Sequence, residues 1–242
     1  MPYLHDAPST RFATRLAATM GRHLVREARG LEHIAPAADP FVLAANHSQR
    51  MEAVLLPSAL IFSRRGKLVH FMADWPTLLV PIAGFMLRAG QVITVTSKRA
   101  RFKPLNLLKP LFDNPVPAFD RALAMLKAGS SVGIFAEGTM NRHPTRLLRG
   151  QTGAAKLALR AGVPIVPVGI RFPDQQPDKQ IKDTEPMTIE FGPPIAPLNE
   201  RGEDKPSKDD IRSLHQTLMS EIARLSGKRW NTKAQRRRNH VP

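Results

Sequence analysis

Short apolar runs alternate along the chain with segments whose apolar residues recur every three or four positions. Phe41–Ala45, Leu68–Met72, Gln91–Val95, Ser131–Phe135, Ile165–Ile170 and Met187–Phe191 have the length and character of strands. Helices are predicted over Glu52–Phe62, Pro76–Leu87, Phe119–Lys127, Thr152–Arg160 and Ser207–Leu225. Phe119, Ala122, Leu123 and Leu126 share one helix face, and Ile211, Leu214, Leu218, Ile222 and Leu225 form a core-docking stripe behind a Ser207/Asp210 capping pattern. Alternating strands and helices imply an α/β fold: a mostly parallel mixed sheet flanked by helices. Ser97–Ala118 reads as a basic loop with one helical turn, and Pro173–Pro186 as a polar loop.

The two ends differ from this pattern. Thr10–Arg29 reads as an N-terminal basic amphipathic helix. At about 100° per residue its arginines, Arg11, Arg15, Arg22, Arg26 and Arg29, fall within roughly a 60° arc, opposite Phe12, Leu16, Met20 and Leu24. Such a helix suits an anionic membrane interface, or a place at the edge of the core with its arginines in water. From Gly227 onward come Lys228, Arg229, Lys233, Arg236, Arg237 and Arg238 with no acid, the composition of a disordered basic tail. The expected division is therefore 1–35, amphipathic helix; 36–226, the α/β domain; and 227–242, tail.

Composition narrows the chemistry. Hydrophobic residues make up 42% and charged residues 23% of the 242 positions, which excludes wholesale disorder. The absence of cysteine removes disulfides, thiolate metal sites and a cysteine nucleophile. A formal charge of +16 predicts attraction to polyanions: nucleic acid, an anionic membrane face, or acidic substrates and carriers. A specific nucleic-acid partner is not expected, because aromatics are only 6% and Trp230 alone interleaves with the tail's charges. The longest apolar run, Leu78–Leu87, is broken by Pro81 and Gly84 and falls short of the roughly 20 residues of a membrane span. With no secretory pattern at the N-terminus, the expectation is a cytoplasmic protein lying peripherally on the inner face of the cell membrane.

Three segments carry candidate chemistry. Asn46-His47-Ser48-Gln49-Arg50-Met51-Glu52 joins a strand end to a helix start, where an open α/β sheet places its ligands. A neutral histidine there can take a proton from a hydroxyl, and a carboxylate on its other nitrogen fixes the tautomer. Residues five apart in one helix diverge by about 140°, so His47 and Glu52 meet only if His47 precedes the helix. Phe135-Ala136-Glu137-Gly138-Thr139-Met140-Asn141-Arg142 also follows a strand, with Gly138 able to turn the backbone toward an anion. Val163-Pro164-Ile165-Val166-Pro167 is a proline-flanked strand.

Taken with Gly90-Gln91-Val92-Ile93, these blocks in this order resemble the glycerol-3-phosphate and lysophospholipid O-acyltransferase superfamily, which includes 1-acylglycerol-3-phosphate acyltransferase. The resemblance spans residues 40–195. It implies that His47 is the general base on an acceptor hydroxyl, oriented by Glu52. The hydroxyl attacks an acyl thioester carried by coenzyme A or acyl carrier protein, with no metal, cofactor or acyl-enzyme. Asn46, Glu137, Gly138 and Thr139 are assigned to substrate binding. The expected partners are the thioester donor, a lysolipid acceptor and an anionic membrane surface.

This sequence departs from the family's pattern. The aspartate five positions after the histidine is Glu52, one methylene longer. The two phosphate-binding arginines fall on Thr96 and Met140. Lys98, Arg99, Arg101 or Arg142 can replace them, or the acceptor is a lysolipid without a phosphomonoester. The rival expectation is a catalytically weak lipid-binding protein of the same fold. Gly129-Ser130-Ser131-Val132-Gly133 matches a nucleophile-elbow string, but a helix precedes it and a strand follows, the reverse of what an elbow needs. His70 reads as packed in its strand, His143 as an exposed loop residue, and Trp75 as either an interface anchor or core.

Overall fold

The apolar runs pair into one seven-stranded sheet of order β1-β7-β6-β2-β5-β3-β4. The strands are β1 (Val25–Arg29), β2 (Val42–Ala45), β3 (Val69–Asp74), β4 (Ile93–Val95), β5 (Ser131–Phe135), β6 (Ile165–Arg171) and β7 (Met187–Phe191). The helices are α1 (Glu52–Ser63), α2 (Pro81–Ala89), α3 (Ala118–Lys127), α4 (Gly153–Ala161) and α5 (Lys208–Ser226). The computed structural model describes residues 19, 21, 23–100, 102–197 and 206–231. Pairings are parallel except β6 with β7, so β7 and its partner β1 run against the other strands.

Central parallel strands are covered on both faces, which is why their sequences are apolar without alternation. In β2, Val42 and Ala44 join the cluster built with α3, α4 and α5, whereas Leu43 and Ala45 join the cluster built with α1. Fully buried leucines on both faces, Leu56 and Leu157 among them, each contribute about 1.5–3 kcal/mol of burial. A Cβ on Gly169 in β6 would lie 2.3 Å from the Leu225 carbonyl carbon, so the bare glycine lets α5 cross the sheet at close range. The Ser207–Asp210 capping box forms at the start of α5, and Gly227 ends it in the left-handed region (φ 68°).

Several expectations are corrected. The N-terminal helix does not reach Arg29. Thr19, Gly21, His23 and Leu24 are helical, but Val25–Arg29 is β1, paired in parallel with β7. This pairing covers the outer edge of β7, which would otherwise present unpaired backbone groups. Arg26 bonds Asp174 and Arg29 bonds Glu27, so neither extends a basic helix face. The sheet therefore begins before the expected boundary at residue 35. The remainder of the expected helix lies outside the described residues.

The predicted Pro76–Leu87 helix is divided. Trp75–Leu79 is a 3-10 turn and α2 starts afresh at Pro81, with Val80 held extended before the proline (φ −73°, ψ 119°). Trp75 is fully buried, which removes it as an interface anchor. The expected loop after Ser97 contains a 3-10 segment over Lys103–Phe112. The basic tail is not disordered at its start: Lys228 and Trp230 pack, and Arg229 exchanges backbone hydrogen bonds with Thr145 and Leu147 (both 2.9 Å). Residues 232–242 lie outside the described residues. Ser131 of the elbow-like string is buried in β5, where its hydroxyl bonds Asp39 and accepts the Phe41 N–H.

Candidate active site

Strands β2 and β5 lie side by side, with Ala45 opposite Phe135. The helix after β2 packs on one face of the sheet and the helix after β5 on the other. This is a topological switch point, where the loops leaving two adjacent strands part and open a crevice. The two candidate segments meet there. The Asn141 N–H donates to the His47 carbonyl at 2.7 Å, stitching one loop to the other.

His47 precedes α1 and Glu52 opens it, the position their five-residue spacing requires. His47 Nδ1 lies 2.8 Å from Glu52 Oε2, and the Ser48 N–H donates to the same oxygen at 2.7 Å. Because Nδ1 faces a carboxylate, it carries the proton, and Nε2 presents a lone pair. The imidazole stacks on Phe135 with centroids 4.1 Å apart and planes 23° from parallel. Its side chain keeps 17% exposure while that of Glu52 has none. Glu52 Oε1 is buried with no hydrogen-bond partner among the described residues. A partly exposed imidazole with a buried orienting carboxylate can accept a proton from a hydroxyl.

The other assigned residues divide into two groups. Asn46 is fully buried; its amide accepts the Ile170 N–H (2.7 Å) and donates to the Ile170 carbonyl (3.1 Å). This side chain continues the β2–β6 ladder past the strand end and does not face a ligand. Glu137 is buried and accepts from the N–H groups of His47 (3.2 Å) and Leu148 (2.8 Å) and from Asn141 Nδ2 (2.7 Å). Burial pushes its carboxyl above the usual range, against the opposing pull of those donors and of Lys228. Its oxygens organise the two loops. Gly138 adopts φ 70°, as the sharp turn requires, and Thr139 is exposed beside it.

Of the replacement cations, Lys98 reaches the turn: its Nζ donates to the Gly138 carbonyl at 2.7 Å and pairs with Asp74 at 3.3 Å, with its side chain as a whole more than half exposed. Arg142 is held elsewhere, donating to the Ile181 carbonyl and to Asp183 (both 2.7 Å). Asp183 feels opposing influences: burial raises its pKa, but the Arg50 N–H and the Arg142 guanidinium outweigh this and hold it below the ordinary aspartate value. Arg99 is exposed and makes no hydrogen bond or ion pair among the described residues. Arg101 lies outside them. His70 is buried in β3 with Nδ1 3.1 Å from the Gln91 carbonyl. His143 is partly buried, with Nδ1 3.2 Å from the Thr145 nitrogen and Nε2 2.8 Å from Arg146 Nε; a neutral ring accepts at one of the two.

Lys228 escaped sequence reasoning. It is 95% buried and its Nζ donates to Ser48 Oγ (2.7 Å) and the His143 carbonyl (2.9 Å). The available signal was slight: a helix-ending Gly227 followed by a single aromatic, Trp230, within a basic run.

A histidine set against a buried carboxylate at the switch point of an open sheet has the geometry to take a proton from a hydroxyl. Comparison with known proteins makes this reading specific. The model of the Acyltransferase family matches residues 26–171, more than half of the chain, and the chain belongs to that family. It is 28% identical over 139 residues to 1-acyl-sn-glycerol-3-phosphate acyltransferase LPAT1, chloroplastic, of Arabidopsis thaliana, covering 57% of this chain and 34% of that protein. It is 26% identical over 140 residues to the corresponding BAT2 protein of Brassica napus (58% and 35%). Over 209 residues it is 25% identical to 1-acyl-sn-glycerol-3-phosphate acyltransferase alpha of Mus musculus (81% and 64%). The matched region thus spans about a third of each plant relative. The crystal structure of the 1-acyl-sn-glycerophosphate (LPA) acyltransferase PlsC of Thermotoga maritima shares the fold, with a TM-score of 0.56 and 20% identity over 92% of this chain and 79% of that one.

Proposed function

We propose that this protein is an O-acyltransferase that moves a fatty acyl group from an acyl thioester to a hydroxyl of a lysophospholipid. The 2.8 Å contact between His47 Nδ1 and Glu52 inside the switch-point crevice carries the reading. His47 Nε2 takes the hydroxyl proton as the acceptor oxygen bonds to the thioester carbonyl carbon. Glu52 stabilises the imidazolium that forms. As the tetrahedral adduct collapses, the C–S bond breaks and the imidazolium returns its proton to the leaving thiolate. The products are an ester and a free thiol, with His47 neutral again.

An apolar groove supports a long-chain substrate. Ala53, Val54, Pro57, Phe71, Met86 and Val92 line it between α1, β3 and α2. Its inner end starts one residue from Glu52 and at Phe71, whose ring lies 5.8 Å from that of Phe135. A lysophosphatidate-type acceptor is favoured by the curated relatives and by the exposed Lys98 ammonium at the Gly138 turn. Coenzyme A and acyl carrier protein are both anionic donors suited to a +16 chain.

The acceptor resides in a membrane, and the described surface offers a place to meet one. Phe102, Leu107, Leu111 and Val116 are 64%, 84%, 78% and 46% exposed along a single segment. Lys98, Arg99 and Lys103 are exposed on the same stretch, and Lys109 is partly exposed. Apolar side chains among cations match an anionic leaflet, the character of a cytoplasmic face. No helix among the described residues is long and apolar enough to cross a membrane.

Thiol release from acyl-CoA and from acyl carrier protein, measured with a panel of lysolipids, tests the reaction. Replacing His47 by Ala is expected to lower transfer by about 10²- to 10⁴-fold with an unchanged melting temperature; near-wild-type transfer would refute the assigned base. Co-sedimentation with anionic and neutral vesicles tests the surface. Leu107→Ser with Leu111→Ser is expected to reduce binding to anionic vesicles, and equal wild-type binding to both kinds would count against an electrostatic dock.

A further inference from the structure

The chain that leaves α5 turns at Gly227 and sends Lys228 beneath the candidate active site. The Lys228 ammonium holds Ser48, whose backbone N–H holds Glu52 Oε2, and the same oxygen holds His47 Nδ1. A second donation, to the His143 carbonyl, ties the ammonium to the loop after β5. A charged group at 5% exposure is costly to bury unless opposite charge and acceptors surround it. Burial is the larger influence and holds its pKa below the ordinary lysine value, while Glu137 and Glu52 work to keep it charged.

We infer that Lys228 is a positioning residue for acyl transfer: it clamps the Ser48 turn that aims His47 and places a fixed positive charge behind the His47–Glu52 pair. The inference rests on His47 being the base. The clamp keeps the imidazole edge at one angle to the crevice. The charge sits beside the two buried carboxylates that flank the imidazole, Glu52 and Glu137, so removing it changes the electrostatic balance around the ring.

The ionisable groups around this ammonium come from every element packed on it. Glu52 and His47 belong to the β2–α1 turn, and Glu137, His143 and Arg146 to the loop after β5. Arg171 of β6, Glu190 of β7, Glu27 and Arg29 of β1, and neighbouring Arg229 complete the surroundings. Arg171 is paired with Glu190, and Arg29 with Glu27. Arg146 bonds the His143 ring, and Arg229 lies on the outer side of Lys228. The two carboxylates nearest the imidazole remain to be balanced, and Lys228 is the cation buried with them.

The experiment uses the full chain, with kcat, KM and the pH dependence of kcat/KM for thiol release measured beside a melting curve. Lys228→Met is expected to lower kcat about tenfold or more, to leave KM for the acyl donor within about threefold, and to move the acidic limb of the pH profile to higher pH. Lys228→Arg, which keeps the charge, is expected to leave that limb in place. A folded Lys228→Met protein with wild-type kcat and pH profile overturns the inference. If Lys228→Met does not fold, Ser48→Ala decides. It cuts the clamp without stranding a carboxylate, so a severalfold loss of kcat at constant KM supports the inference, and wild-type kcat overturns it. His47→Ala separates the two readings: an inactive His47→Ala beside an unaffected Lys228→Met leaves the base assignment standing and removes Lys228 alone.

Discussion

Glu52 and Glu137 occupy equivalent places: each follows a central strand, each is buried, and their loops meet over the same crevice. They differ in what they face. Both oxygens of Glu137 accept hydrogen bonds, from two backbone amides and one asparagine. Glu52 presents a single oxygen to Ser48 and His47, and its other oxygen has no partner among the described residues. A carboxylate surrounded by immobile amides holds a shape. A carboxylate opposite an imidazole responds to a proton arriving on the ring. The same residue type, reached from two neighbouring strands, thus ties two loops together in one case and backs an imidazole in the other.

The sharpest way to break this comparison is to neutralise each carboxylate without changing its size. Glu52→Gln removes the negative charge that stabilises the imidazolium while leaving an oxygen able to accept from Nδ1 and the Ser48 N–H. Transfer is expected to fall by about 10²- to 10⁴-fold while the melting curve stays close to wild type. In Glu137→Gln one oxygen becomes an amide NH2 facing N–H donors, which is expected to cost about 1–3 kcal/mol of stability in denaturant melts. Activity per folded molecule should then fall far less than in Glu52→Gln. If the two variants exchange behaviours, the division of labour is wrong.

Two smaller effects sharpen the picture around the loops. Lys98→Met is expected to raise KM for a phosphomonoester acceptor severalfold, by about 1 kcal/mol of lost charge pairing, and to leave KM for an acceptor without that group unchanged. Equal effects on both would remove Lys98 from headgroup binding. The Arg142–Asp183 strap predicts a pH effect. Because Asp183 is held below its ordinary value in the fold, its contribution is full above the ordinary aspartate pKa and is lost as pH falls through the lowered one. The melting-temperature gap between wild type and Asp183→Asn should therefore be constant near neutrality and close in acid. A gap that widens toward low pH would contradict this.

The alternating pattern made the sheet legible, since buried parallel strands leave apolar runs that no helix period imitates. The His47–Glu52 pair was equally legible, because its members are five residues apart and only a loop-to-helix junction brings them together. The rest depended on partners far along the chain. Asn46 reads as a ligand group until Ile170, 124 residues away, is seen to occupy it. Glu137 reads as a hydroxyl binder until the His47 amide, 90 residues away, is found on its oxygen. Val25–Arg29 continues a helical pattern, and the open edge of β7 overrides that local preference. Arg142 and Lys98 read alike as spare cations, yet Asp183 claims the first and leaves the second half in solvent.

The contact between Ser48 and Lys228 closes a separation of 180 residues. During synthesis the early part of a chain emerges first and domains fold from it, but the pocket floor here cannot be laid until residue 228 has left the ribosome. A nascent chain carrying the whole sheet still lacks its buried ammonium, so the floor of the crevice closes only after all seven strands have been made.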